Sequence, residues 1–140
     1  MPKRPKLVAC LALAAIAASV PLAAPAQNKL DCSTALATPD LNACAEIELE
    51  QADALMNAIY KKLLAKIAAS TGDKPYDAKS WEAALRASQR AWVAFRDADC
   101  KGLVPLAWGG GTGATGEMLG CMTEKTIRRT DELTAYFEAE

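Results

Sequence analysis

The chain predicts an all-α fold: a three-helix antiparallel bundle with a long first helix, stapled by two disulfides. Three observations carry this expectation. Apolar residues recur at helical spacing in three long segments. Two breaker segments rich in Gly and Pro separate those segments. No stretch alternates with period two between turn signals, as a half-buried strand would.

Residues 1–26 read as a secretory signal rather than as part of the fold. Lys3, Arg4 and Lys6 make a basic start, Leu7 to Leu22 is an uncharged apolar run, and Ala24-Pro25-Ala26 supplies a small-x-small cleavage site. Leu7-Val8-Ala9-Cys10 resembles a lipoprotein box, but Cys10 precedes most of the apolar run that should lead up to it. The expected folded domain is residues 27–140, one domain's worth of chain, with no membrane span.

The first helix is expected from about Pro39 to Ser70. Thr38 is the N-cap candidate, Pro39 takes the first helical position, and Asp40 suits the positive end of the helix dipole. Leu41, Ala45, Leu49, Ala52, Met56, Ile59, Leu63 and Ile67 then fall on one stripe at 100° per residue. Gly72 and Pro75 end it. A second helix is expected from Ala78 to Asp99 or Cys100, with Trp81, Leu85, Trp92 and Phe95 as a large aromatic stripe at the centre of the bundle. Residues 102–116 lose all periodicity and read as a glycine-rich loop. The third helix is expected from Glu117 to Glu138, with Leu119, Met122, Thr126, Leu133 and Phe137 on one face.

Four cysteines follow the leader: Cys32, Cys44, Cys100 and Cys121. An even count in an exported chain implies two disulfides, and a small domain gains most from such staples. Of the three possible pairings, Cys32–Cys44 and Cys100–Cys121 are favoured, because each closes a local loop beside a helix end. No His occurs anywhere and no C-x-x-C is present, so neither a zinc site nor a Ser-His or Cys-His nucleophile is expected. The expectation is a protein that is not an enzyme and takes no cofactor.

The whole chain carries 16 basic and 17 acidic residues; without Lys3, Arg4 and Lys6 the balance is −4. That excludes the basic stripe that nucleic-acid binding needs and suits a cationic protein partner. Glu46, Glu50 and Asp53 recur at helical spacing beside the apolar stripe of the first helix, a candidate partner-binding strip. Gly111 to Gly116 spells G-x-G-x-x-G before a helix, but a dinucleotide site needs a preceding strand, and a helix stands there instead. The same region, with Trp108, Gly110, Gly111 and Gly113, is a candidate recognition loop. Asp99 and Arg129 project from apolar stripes, and are expected to meet as a structural charge pair between the second and third helices.

Several segments together resemble the LprI-type lysozyme-inhibitor family. They are Cys32, Asn42-Ala43-Cys44, the run from Ala52 to Tyr60, the run from Ser88 to Cys100, Gly109-Gly110-Gly111, Cys121, Thr126, Arg129 and Leu133. The most specific part is Gln89-Arg90-Ala91-Trp92-Val93-Ala94-Phe95-Arg96-Asp97-Ala98-Asp99-Cys100; Ser88 stands where the family often has Ala. The resemblance covers nearly all of residues 27–140. It implies a secreted, cystine-containing helical domain that acts on lysozyme as a protein partner, and it supplies no catalytic residue. The rival expectation is an envelope structural or assembly protein that binds another periplasmic protein.

Overall fold

A computed structural model describes residues 30–138; the predicted leader over residues 1–26 lies outside them. The expected class holds. Helix α1 spans Thr38–Ala68, α2 spans Ala78–Asp97, a short α3 spans Val104–Ala107, and α4 spans Ala114–Glu138. No strand occurs among the described residues. Between α2 and α3 the chain continues as a π-helical segment, Ala98–Leu103. The region expected to be a long loop is therefore helical for most of its first half, and only Trp108 to Gly113 is non-helical.

The expected Thr38 cap is not formed: Ala37 is the N-cap of α1, without a side-chain cap bond, and Thr38 is already the first helical residue. Asp77 accepts from the Ser80 backbone N–H at 3.0 Å and so satisfies one open donor at the start of α2. Lys66, in the last turn of α1, donates to the Phe137 carbonyl at 2.6 Å and lies over the Phe137 ring. This contact ties the C-terminal ends of α1 and α4 together. Asn42 and Gly116 meet near the opposite ends, so α1 and α4 run parallel. Helix α2 runs antiparallel to both, with Arg96 at Asp53 and Ser88 at Arg129.

Met56, Leu63, Ile67, Leu85 and Leu133 form the apolar core, with Ile59, Leu64, Trp92 and Phe137 packed around it. The expected aromatic centre is displaced. Trp81 and Phe95 are exposed, at 38% and 57%, whereas Leu85 and Arg96 are buried. The inward face of α2 is thus Leu85, Gln89, Trp92 and Arg96, rotated by roughly 50° from the aromatic stripe at 100° per residue.

A polar interaction explains that rotation. Arg96 is buried, and its Nη1 donates to Asp53 Oδ1 at 2.8 Å and to Thr126 Oγ1 at 2.9 Å. Its guanidinium stands 5.1 Å from the centre of the Trp92 ring. One arginine therefore joins α1, α2 and α4. A second buried arginine, Arg129, donates to Gln89, Glu132 and Ser88 and lies 6.0 Å from the centre of the same ring. Buried cations persist only when such partners are supplied.

The expected Asp99–Arg129 pair is not the one formed. Asp99 pairs with Lys125 at 2.8 Å, while Arg129 takes Glu132 at 2.7 Å. The π-helical segment carries Asp99 beyond the end of α2, next to Lys125 and about one helical turn of α4 short of Arg129. Asp53, of the expected partner-binding strip, is engaged by Arg96 while its side chain stays partly exposed.

Replacing Arg96 with Ala should cost about 3 kcal/mol in urea denaturation, the low end for breaking a buried pair because Asp53 keeps contact with water. A double-mutant cycle between Arg96 and Asp53 should show coupling of at least about 1 kcal/mol, whereas Asp99 and Arg129 should be additive within about 0.5 kcal/mol.

Three aspartates make stability pH-dependent, Asp31 being held below the ordinary value by the Ser33 hydroxyl and N–H. The Ser80 hydroxyl and backbone N–H hold Asp77 below the ordinary aspartate value, and Lys101, with Arg96, holds Asp97 below it. A depressed folded-state value means that the unfolded chain binds protons first. The stabilisation is full above the unfolded-state value of about 4 and is lost as pH falls through the lower folded value. Thermal midpoints should therefore drop on acidification below about pH 4, and Asp97→Asn should flatten that drop.

Candidate functional site

The plane of Asp53, Arg96 and Thr126 divides the bundle into two halves of different character. One half holds both disulfides, Cys32–Cys44 and Cys100–Cys121, each with Cα atoms 5.6 Å apart. These are the pairings expected from local loop closure. Cys32–Cys44 fastens the segment before α1 to the second turn of that helix. Cys100–Cys121 fastens the π-helical segment to α4, and Cys100 is fully buried. The bond fixes both ends of the intervening α3 and turn.

The π-helical segment and α3 bring apolar side chains to the surface. Leu103 and Leu106 are exposed at 62% and 78%, and Trp108 at 48%. Sequence reasoning found Trp108 but missed the two leucines, because the segment was read as a loop. The missed signal is Leu103-Val104-Pro105-Leu106-Ala107, with proline in the first turn where a helix tolerates it. Trp108 caps α3, and its backbone N–H donates to the Val104 carbonyl at 3.1 Å.

The turn after Trp108 needs glycine for two different reasons. Gly109 and Gly110 have φ of 61° and 69°, a left-handed conformation that costs other residues energy. Gly113 gives way to the indole: a Cβ there would lie 2.5 Å from Trp108 Cζ3. The Trp108 ring is thus seated against backbone at Gly113, half exposed in a defined place. Gly111 closes the turn by donating to the Trp108 carbonyl at 3.2 Å. Within the G-x-G-x-x-G string, Gly111 and Gly113 belong to this turn, whereas Gly116 lies in α4 beside Asn42.

Glu46 and Glu50 stand exposed one helical turn apart on α1, and neither forms an ion pair among the described residues. Glu48 is exposed too, on another face of the helix. The charge segregates strongly. Residues 30–53 and 96–126, which build the disulfide half, carry ten acidic and three basic side chains. Residues 54–95 and 127–138 carry six acidic and nine basic ones. A uniform reading of net charge hides this polarity, since the acidic segments are far apart in the chain and only the fold brings them to one end.

Metal chemistry has little to work with here. Asp99 lies beside Cys100 and Cys121, but both sulfurs are bonded to each other. What the disulfide half offers is a rigid, acidic surface with exposed leucines and a seated tryptophan, which are the means of protein recognition.

Access also differs between the two staples, because Cys32 is exposed whereas Cys100 is buried. Mild phosphine treatment followed by alkylation and peptide mass spectrometry should label Cys32 and Cys44 before Cys100 and Cys121. Simultaneous labelling would show that α3 and its turn open as readily as the N-terminal segment.

The family model for lysozyme inhibitor LprI matches residues 31–133. A Rhizobium meliloti (strain 1021) protein, named only as uncharacterized, is 34% identical over 116 residues, which is 81% of this chain and 83% of that protein. No solved structure matches the chain. The matched span takes in both disulfides, both buried arginines and the turn at Trp108, and the chain belongs to the LprI lysozyme-inhibitor family.

Proposed function

We propose that this protein is an exported binding module that inhibits lysozyme-type muramidases by docking its acidic, disulfide-bonded end against the enzyme. The observation that carries this reading is the concentration of unpaired acids and exposed apolar side chains at one rigid end. Export is supported by the basic-apolar leader with its small-x-small site and by two cystines in a small domain. No helix among the described residues is long and apolar enough to cross a membrane.

Animal-type lysozymes are strongly cationic and hold their catalytic acids in a sugar-binding cleft. An acidic end would be steered toward such a surface, and its acids would pair with basic groups at the rim. Trp108 would then supply the buried anchor. Aromatic anchors in the middle of an interface dominate its energetics, while rim charges mainly set rate and salt dependence. Since Cys100–Cys121 and the seat at Gly113 already order the turn, little entropy is lost on docking. Inhibition would be steric: the inhibitor covers the cleft and needs no chemistry of its own.

A turbidity assay on cell walls tests this. Wild type should slow lysis at low ionic strength and act more weakly at about 0.5 M salt, where screening shortens the reach of charge to a few ångströms. Trp108→Ala should weaken inhibition at least tenfold, and Glu46→Lys/Glu50→Lys should weaken it and flatten its salt dependence. Lys74→Ala, in the α1–α2 turn at the opposite end, should leave it unchanged. An unaltered lysis rate with tens of micromolar wild type at low salt would reject the reading for that lysozyme and favour an envelope partner instead.

A further inference from the structure

The other half of the bundle contains a cleft that the inhibitor reading does not use. It lies between α2 and the α1–α4 pair, with a volume of about 200 Å³. Trp81 and Tyr136 stand at its mouth, Leu63 and Leu85 line its apolar wall, and Ser88 and Arg129 supply its polar side. Such a mixture, mostly apolar with a few directed polar groups, is the general make-up of a small-molecule site.

Arg129 makes the cleft selective. Its side chain is only 8% exposed, and the one carboxylate paired with it among the described residues is Glu132, which is 56% exposed. A buried guanidinium is thus balanced by a carboxylate at the solvent edge, where water weakens the pairing. Of the five guanidinium N–H groups, three are engaged, by Gln89, Glu132 and Ser88. The other two are free for an acceptor, and a carboxylate is the acceptor whose geometry fits them best. The surrounding half carries nine basic against six acidic side chains, which also favours an anion.

From this arrangement we infer that the cleft is a binding site for a small amphiphilic carboxylate, with its acid on Arg129 and its hydrocarbon body between Trp81, Leu85 and Tyr136. The cleft is small, so the body is a short aliphatic chain or one aromatic ring. The ligand's carboxylate takes the two remaining Nη N–H groups, while Glu132 keeps its own bond to Nη1 at the solvent edge. The site stands apart from the acidic end, so it does not depend on lysozyme inhibition.

The test is titration of folded protein with hexanoate and benzoate, against hexanol and benzyl alcohol as neutral counterparts, followed by NMR of the three tryptophan indole N–H signals. The carboxylates should shift the Trp81 signal saturably, with Kd in the ~0.1–1 mM range that so few atoms support, and leave Trp108 still. The alcohols should bind at least tenfold more weakly. Ala84→Phe, which fills the mouth without touching the charge, should abolish binding and leave lysozyme inhibition unaffected. Arg129→Gln, checked for folding by circular dichroism, should erase the preference for the acid. Equal binding of acid and alcohol, no saturation at 10 mM (roughly ten times the weakest Kd expected), or undiminished binding by Ala84→Phe would each overturn the site.

Discussion

The guanidinium of Arg96 is the constraint on which the rest of the bundle depends. It is buried where three helices meet, and it must find an anion and acceptors there or carry a large desolvation penalty. Asp53 from α1 and Thr126 from α4 meet it, and Trp92 from its own helix covers one face. Because those partners sit at fixed heights on their helices, the interaction sets the register of all three together. It also sets the rotation of α2: with Arg96 inward, Leu85 and Gln89 turn inward and Phe95 turns out, beneath Lys125 at 4.6 Å. Apolar packing alone would tolerate a slide of one helix along another far better than a charged hydrogen bond does.

This polar layer accounts for the most specific stretch of the sequence. Gln89, Trp92 and Arg96 share the inward face of α2, with Ser88 at its edge, and Thr126 and Arg129 answer them from α4. The stretch that marks the family is therefore a description of how α2 is bolted to its neighbours. The serine at position 88 has a visible use, since its hydroxyl accepts from Arg129 at 2.9 Å.

The surface proposed to dock lies away from that layer and is built by the second staple. Cys100–Cys121 holds the π-helical segment to α4, and α3 then presents Leu103, Leu106 and Trp108 outward. Irregular helix of this kind recurs at functional sites because it re-aims side chains that a regular helix would place elsewhere. Rigidity matters as much as composition here. A free glycine-rich loop would lose entropy on binding, whereas a cross-linked turn with a seated indole has already lost it on folding.

Much of this was legible in the chain. Three apolar stripes at helical spacing and two breaker segments determined three helices within a few residues of their observed ends, because helical spacing and breakers are local properties of the chain. Local loop closure determined the cystine pairing, and the absence of histidine removed whole classes of chemistry. Tertiary structure decided what depends on partners distant in sequence. It gave Asp53 to Arg96 and Lys125 to Asp99, against the expected pairing of Asp99 with Arg129, since α2 runs antiparallel to α4 with Arg96 level with Thr126 and Gln89 level with Arg129, which carries Asp99 away from Arg129. It turned Trp81 and Phe95 outward despite their size, because satisfying a buried cation outweighs burying one more ring. It also gathered ten acids from separate segments into one half of the bundle. Charge acts through space, and only the folded chain sets the distances over which it acts.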